Sequence, residues 1–305
     1  MTAGDVGVAA LTMRRAFGVY LNVPDPDTTF GAAHYVGPRF LASPATAFVA
    51  TDHGEVVGAV HATLWGSFGF FGPLVVRPDR WDRGVARQLL APVVDLFDRS
   101  DTVLTGLFTF AQSAKHVGLC QRFGYWPQYL TAIMNRPVGP DGPATPSRRF
   151  SEVSAEERTT TLLDCAVLSD RVFAGLDVGV EISAVFDQQL GDTVLIDDDV
   201  GLVAFAVCHV GAGEADTGAC YVKFAAARPG SRAGDHFTRL FDAIEALAGE
   251  RGATHVVAGV DTARREAYRA LLERGFRTGG QGVRMHRPDD LGYGHVNTYV
   301  IDDLR

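Results

Sequence analysis

Residues 71–90, which read FGPLVVRPDRWDRGVARQLL, constrain the fold more than any other stretch of the chain. An apolar run ends at Val75 and Val76, a turn that contains proline follows, and an amphipathic pattern begins near Gly84. This order predicts a β-strand that leads through a short loop into an α-helix. The first N–H groups of a helix have no partner within it, and the helix dipole adds positive charge there. The stretch therefore predicts an anion site, suited to a pyrophosphate.

Length and composition describe a globular protein of about two domains. The chain has 305 residues, of which 47% are hydrophobic and 21% are charged, and domains average ~150 residues. The net charge of −8 argues against nucleic acid as a partner, since nucleic acid requires a basic face. No apolar run reaches the ~20 residues of a membrane span. We expect neither a nucleic-acid nor a membrane partner.

The cysteines indicate a reducing compartment. They are Cys120, Cys165, Cys208 and Cys220. They form no C-x-x-C pair, so we expect reduced thiols in a cytoplasmic protein. Cys208 beside His209 could begin a metal site, but no second pair follows at ligand spacing, and we expect no metal.

Strands and helices alternate along the chain, and the order occurs twice. The first half predicts helices at residues 6–21, 83–97 and 113–123 and strands at 47–50, 56–65, 68–76, 103–110 and 129–134. The second half predicts strands at residues 194–197, 201–210, 220–226 and 255–260 and helices that end near residues 247 and 274. Residues 137–149 are rich in proline and glycine, as in a linker. A period of about 150 residues indicates a duplicated domain.

The central stretch resembles the acyl-CoA-binding motif of the GNAT superfamily of N-acyltransferases, Gln/Arg-x-x-Gly-x-Gly/Ala. Gly84 and Ala86 match its last two fixed positions, and Trp81 stands at the first. The segment LCQRFGY at residues 119–125 is similar to LYERLGF of the family. ARPGSRAGDHF and LLERGF repeat both motifs in the second half, so the resemblance covers nearly the whole chain.

This resemblance implies an α/β fold of two tandem GNAT-like domains, each with a mixed central sheet flanked by helices. We place the first domain at residues 1–140, a linker at 141–149 and the second domain at 150–305. We expect the first domain to bind acetyl-CoA and the second to be a degenerate copy. Gly234 fits the glycine position there, but His236 replaces the second small residue and Asp235 would repel a phosphate.

The resemblance also implies which residues bind acetyl-CoA. They are Leu74, Val75, Val76, Arg83, Gly84, Val85, Ala86, Arg87 and Ser113. The three strand residues would bond the pantetheine arm through their main chain, and the segment from Arg83 to Arg87 would hold the pyrophosphate.

The implied reaction transfers an acetyl group from acetyl-CoA to a primary amine of a small molecule or peptide, by direct attack on the thioester. Three alternatives stay open: another acyl donor, a thiol-precursor sugar amine as the acceptor, and a non-catalytic scaffold that binds CoA. The sequence identifies neither the acceptor nor the oligomeric state.

The identities of the general base and the general acid also stay open. Cys120 stands where the family has a general-acid tyrosine, but a helical cysteine is more often a small buried hydrophobe. Tyr125 lies near it at a position that normally packs in the core. His61 is the best-placed candidate base, although a lone histidine on a strand is more often structural. A chain of water molecules could serve instead.

Three further features have structural interpretations. GGQG at residues 279–282 predicts a bulge or a turn. Asp25 and Asp27 lie in a loop that borders the acceptor site in the family, but we expect a solvated acidic loop. Asp302 and Asp303 are expected to lie in an exposed tail.

Overall fold

A computed structural model describes residues 1–139 and 145–305. Within these ranges the helices are α1 (Val6–Tyr20), α2 (Val36–Ala42), α3 (Val85–Arg99), α4 (Ala114–Gln121), α5 (Arg158–Val172), α6 (Gly179–Asp187), α7 (Ala233–Glu250) and α8 (Arg265–Glu273). The strands are β1 (Ala47–Asp52), β2 (Glu55–Trp65), β3 (Phe68–Val76), β4 (Leu104–Thr109), β5 (Trp126–Pro137), β6 (Arg148–Arg149), β7 (Gly191–Asp198), β8 (Gly201–Val210), β9 (Ala219–Ala227), β10 (His255–Asp261), β11 (Arg277–Arg287) and β12 (Val300–Ile301).

These strands form one mixed sheet. Their order across it is β1-β2-β3-β4-β11-β5-β10-β9-β8-β7-β6, and β12 pairs with β9 off this path. β3 with β4 and β9 with β10 pair in parallel, whereas the other neighbours are antiparallel. Each parallel pair is joined by a long helix, α3 or α7, as a parallel connection requires. The expected mixed sheet with flanking helices is confirmed.

The last long strand of each half lies beside the other half. β11 pairs with β4 of the first half, and β5 pairs with β10 of the second. β11 and β5 also pair with each other, from Arg277 opposite Asn135 to His286 opposite Trp126. This exchange joins the two expected central sheets into one continuous sheet.

Helices cover both faces of the first half. On one face, Leu89 and Val93 of α3 share a core cluster with Leu107 and Tyr125. On the other face, α1 and α2 pack over β2 and β3, where Met13 and other small apolar residues cover the strands. The alternating direction of strand side chains makes both packings possible from the same strands.

The two halves also share a core. Trp65, Phe68 and Phe70 of the first half belong to the same cluster as Ile182 of α6 and Phe224 of β9. Trp65 meets Phe224 edge-on at a ring-centroid distance of 5.4 Å. Aromatic residues of both halves therefore pack together in one core, so each half buries apolar surface of the other.

Loop contacts repeat this exchange. The N–H of His34, in the loop between α1 and α2, donates to the carbonyl of Gly213 in the loop between β8 and β9. The N–H of Ser67, between β2 and β3, donates to the carbonyl of Gly175 between α5 and α6. In each half, the loop between two helices is therefore hydrogen-bonded to a loop between two strands of the other half.

Several sequence expectations need correction. α2 and α6 were not predicted. Arg148 and Arg149 already pair with β7, so ordered sheet resumes inside the predicted linker. Residues 140–144, which include part of that linker, lie outside the described residues, and the domain boundaries stay a prediction. The register of β11 against β5 shifts between Thr278 and Gly280, which agrees with the bulge predicted for GGQG.

The expected exposed tail is wrong. Asp302 and Asp303 are 0% and 1% exposed, and both lie among charged and phenolic side chains. No local sequence pattern indicated this burial, because adjacent aspartates are typical of a solvated segment.

Candidate active site

A cleft begins where β3 and β4 separate. Their parallel pairing runs from Phe68 opposite Leu104 to Phe70 opposite Gly106 and then stops. Beyond it, β3 stays paired on its other edge with β2, through Leu74 and Val75. The register of β3 against β2 shifts close to Pro73, as expected for a residue without an N–H. The edge of β3 that faces β4 is consequently free of strand partners from Phe71 onward in the described structure.

The cleft has a volume of about 730 Å³ and a mostly apolar lining, within the ~300–1,000 Å³ of small-molecule sites. It extends from the parting strands to the N-terminus of α3. Of the residues predicted to bind acetyl-CoA, those that line it are Leu74, Val75, Val76, Gly84, Val85, Ala86, Arg87 and Ser113. Arg83 lies beside it, exposed in the loop that precedes α3.

The N-terminus of α3 is open towards the cleft. Gly84 is the residue that caps α3, with φ 80° and ψ 2°, a left-handed conformation that favours glycine. A Cβ atom at Gly84 would have no heavy atom within 4 Å. Val85 and Ala86 follow as the first helical residues, so the helix begins two residues later than predicted. Open N–H groups at a helix start can bind an anion.

Trp81 lines the cleft and also anchors the loop that precedes α3. Its indole N–H donates to the carbonyl of Val76 at 2.7 Å. The ammonium group of Lys115 lies 5.9 Å from the centre of its ring. Trp81 thus links the end of β3 to the first turn of α4, across the position where a phosphate would enter.

Cations surround this helix start. Lys115 pairs with Asp82 at 2.5 Å. Arg83, Arg87 and Arg122 are exposed, and none of the three pairs with a carboxylate in the described part of the chain. Three uncompensated guanidinium groups within one cleft mouth favour a ligand with several phosphates.

α4 supplies the opposite wall. Ser113 caps α4, and its hydroxyl accepts from the N–H of His116 at 3.4 Å. The ring of His116 lies 5.4 Å from that of Tyr20 of α1, tilted by 37°, and Tyr20 in turn stacks at 5.1 Å on Phe110. Burial, and secondly Lys115, lower the pKa of His116, which favours its neutral form.

Sequence reasoning missed the aromatic and basic residues of this wall. They are Phe17, Tyr20, Phe110, Lys115, His116 and Arg122. Lys115 is one of only two lysines in the chain, the one sequence feature that could have drawn attention to it. The aromatic residues come from α1 and from the end of β4, and only the fold brings them together.

Residues 12–125 match the model of the acetyltransferase (GNAT) family. This part of the first half is therefore similar to a GNAT domain. Acyl transfer is the chemistry of that family, and the match includes the cleft-lining residues from Ala16 to Arg122.

Solved structures share the fold of the whole chain. A protein of Pyrococcus horikoshii assigned as an acetyltransferase is 13% identical, with a TM-score of 0.69 over 99% of this chain and 92% of its own. A GCN5-related N-acetyltransferase of Sphaerobacter thermophilus is 15% identical, with a TM-score of 0.56 over 94% and 93%.

A tandem GNAT protein from the clavulanic acid biosynthesis pathway, solved without acetyl-CoA, is 13% identical, with a TM-score of 0.57 over 93% of this chain and 95% of its own. These likenesses establish a tandem GNAT fold. A search of curated protein sequences finds no match.

Two catalytic candidates from the sequence lie in the core of the first half. Tyr125 is fully buried, and its hydroxyl lies 3.1 Å from Thr105 Oγ1, within a hydrogen bond. Cys120 is 4% exposed, and burial raises the pKa of its thiol to about 12. Neither lines the cleft, so both are packing residues.

His61 is also buried, on the face of β2 that carries α2. Neither ring nitrogen has a hydrogen-bond partner among the described residues. Burial, and secondly the guanidinium of Arg39, lower its pKa to about 3. His61 is therefore neutral and separated from the cleft, which removes the basis for its role as a base.

The acidic loop after α1 is internally paired. Asp27 forms an ion pair with Arg15 at 2.6 Å, and the carboxylate of Asp25 accepts from the N–H of Asp27 at 3.2 Å. Both carboxylates thus have local partners, which agrees with the structural interpretation.

Residues 1–139 and 145–305 contain neither a metal-binding group of side chains nor a helix that could span a membrane. No group of three or more His, Cys, Asp or Glu side chains could hold a metal ion there. No helix of these ranges combines the length and the apolar character that a bilayer span requires.

Proposed function

We propose that the first half transfers an acetyl group from acetyl-CoA to a primary amine of a small molecule or peptide. One observation supports this most strongly: the open edge of β3 leads directly to an open helix start with three unpaired arginines. A ligand with an elongated apolar arm and several phosphates at its end would fit these two adjoining surfaces.

The reaction needs a neutral amine next to the thioester carbonyl. The amine nitrogen bonds to the carbonyl carbon, negative charge develops on the oxygen, and the C–S bond then breaks to release the thiolate. A main-chain N–H on the open edge of β3 would stabilise the oxyanion. Holding both reactants in line supplies much of the rate.

His116 is the side chain that we propose to accept the amine proton, directly or through one water. It lines the cleft, its lowered pKa favours the neutral form, and its ring lies 5.4 Å from that of Tyr20. A positioned base of this kind contributes about 10²–10⁴-fold to rate. The three candidates from the sequence lie buried away from the cleft.

We also propose that the protein works in the cytoplasm and does not bind nucleic acid. All four cysteines are free thiols, which fits a reducing compartment. The net charge of −8 would repel a phosphate backbone.

Calorimetry with acetyl-CoA tests the binding step. Arg87→Glu should weaken binding about 10–100-fold, since a charged hydrogen bond contributes about 1.5–3 kcal/mol. Arg99→Glu is the matched control, because Arg99 lies exposed at the far end of the same helix. Equal affinity for both variants would contradict the proposed phosphate site.

Thiol release from acetyl-CoA with a panel of amines tests the reaction. His116→Asn should lower kcat about 100-fold while the affinity for acetyl-CoA stays unchanged. Unchanged kcat would show that another base operates. Binding without product from any amine would favour the scaffold alternative instead.

A further inference from the structure

The second half contains the counterpart of the acetyl-CoA cleft. β9 and β10 pair in parallel from Ala219 opposite His255 to Val222 opposite Ala258, and then stop. This is the same geometry by which β3 and β4 open the first cleft. A chain segment lies where the second cleft would open.

That segment is the last stretch of the sequence. Val300 and Ile301 form β12 and pair antiparallel with Ala226 and Ala225 of β9. Asp303 lies against β10, since a Cβ atom at Gly259 would overlap its side chain. Residues 299–303, here called the tail, thus lie between the two parted strands.

The tail bonds to the strand positions that correspond to the predicted pantetheine contacts. The dipeptides Arg77-Pro78 and Arg228-Pro229 mark the same point in the two halves. Counted back from them, Leu74, Val75 and Val76 correspond to Ala225, Ala226 and Ala227. The N–H of Ala227 donates to the carbonyl of Tyr299 at 3.0 Å. The free edge of β9 is therefore occupied by main-chain bonds to the tail.

The tail also covers the start of α7, which corresponds to the open start of α3. A Cβ atom at Gly234 would lie 3.0 Å from the hydroxyl oxygen of Tyr299, whereas one at Gly84 would contact nothing. The Tyr299 ring packs 5.3 Å from Phe237 of the same helix. The aromatic ring thus stands where the first half leaves room for an anion.

The opposite wall is adapted to the tail as well. Arg264 precedes α8 as Ser113 precedes α4. Its guanidinium is fully buried, and it donates to the carbonyl of Val300 at 3.2 Å and to the carboxylate of Asp302 at 3.3 Å. The hydroxyl of Tyr293 donates to Asp302 Oδ2 at 2.6 Å.

Asp303 is held equally well. The hydroxyl of Tyr221 donates to its carboxylate at 2.8 Å, and Arg305 pairs with it at 2.8 Å. Asp302 and Asp303 are thus both buried and both paired. Because an unpaired buried charge is costly, this pairing indicates that the tail stays in contact with the second half.

We propose that the tail is an internal peptide ligand of the second cleft, which it closes to acyl-CoA, so that the chain carries one acyl-CoA site. The part about acyl-CoA rests on the proposed function of the first half. The occupancy of the second cleft by the tail does not.

A disulfide trap tests the occupancy. In Ala226→Cys/Val300→Cys the two cysteines face each other across an antiparallel pair, whose Cβ atoms lie about 4.5–5.5 Å apart. The expected result is rapid, quantitative cross-linking, identified by peptide mass spectrometry. The matched control is Ala226→Cys/Val296→Cys, because Val296 is exposed. Equal cross-linking of both pairs, or none of the first, would overturn the proposal.

Hydrogen exchange of the wild type gives a second readout that needs no variant. The amides of residues 299–303 should be protected about as strongly as those of Ala225 to Ala227, because they share hydrogen bonds. Exchange of the tail amides at the rate of an unfolded peptide would overturn the proposal, even if the double-cysteine variant failed to fold.

Calorimetry then counts the sites. The wild type and the oxidised Ala226→Cys/Val300→Cys variant should each bind one acetyl-CoA with the same Kd. Two equivalents for the wild type and one for the oxidised variant would show that the second cleft opens in solution and would overturn the proposal. No binding to either protein would refute the proposed function alone, since the cross-link and the exchange data judge the tail separately.

Discussion

Buried ionisable residues in this protein divide into those with an oppositely charged partner and those without one. Glu214 is held by Arg39 at 2.5 Å and by Lys223 at 2.8 Å. Burial alone would raise the pKa of Glu214, but these two cations hold it well below its usual range. His61, close to the same cluster, has no such partner among the described residues and stays neutral.

This difference predicts how His61→Leu changes acid stability. The pKa of His61 is about 3 in the folded state and 6.5 as an ordinary imidazole. Between these values the unfolded chain binds the extra proton, so His61 lowers stability by about 1.4 kcal/mol for each pH unit below 6.5. Above pH 6.5 it has no such effect.

Urea titrations of both proteins from pH 8 to pH 4 measure the difference. His61→Leu should lose less stability than the wild type below pH 6.5 and follow it above, and it should leave the proposed acetyl transfer unchanged. Parallel pH profiles would show that His61 accepts a proton readily in the folded state.

Single elements show how much of the site the sequence could predict. Gly84 was identified as the residue that leaves the start of α3 open, because the strand-turn-helix order is local. The helix ends and the caps follow from residues a few positions apart. Tyr299 over Gly234 could not be predicted, since the two positions are distant in sequence and meet only after β12 pairs with β9.

The buried ion pairs of the tail predict that the conservative substitution Asp302→Asn strongly lowers the free energy of unfolding. Asp302→Asn keeps the side-chain shape but removes the charge that Arg264 and Arg284 share. Both arginines are at most 1% exposed. Breaking a buried ion pair in this way costs about 3–5 kcal/mol.

Chemical denaturation of Asp302→Asn measures this loss. Asp199→Asn is its control, since Asp199 is exposed, and should change stability by less than about 0.5 kcal/mol. A loss below about 1 kcal/mol for Asp302→Asn would mean that the tail leaves its place easily.

For the whole molecule, the exchanged strands predict a single cooperative transition. β5 completes the second half and β11 completes the first, so neither half has a closed sheet alone. All three tryptophans lie in the first half, whereas Cys208 and Cys220 are buried in the second. Tryptophan fluorescence and thiol labelling of Cys208 should report the same urea midpoint.

Two separate midpoints would contradict this prediction. They would show that the shared core of Trp65 and Phe224 is too weak to couple the halves. The test depends on whether the two probes give the same urea midpoint, and not on the value of that midpoint.

The sequence by itself predicted most of the strands, the tandem organisation and the open helix start at Gly84, because these depend mainly on residues close together in the chain. The tertiary structure alone decided which half keeps an open cleft, where His116 stands and where the tail lies. These depend on pairings between residues far apart in the chain. Hydrophobic periodicity records which face of a strand is buried, but it does not record which segment covers that face.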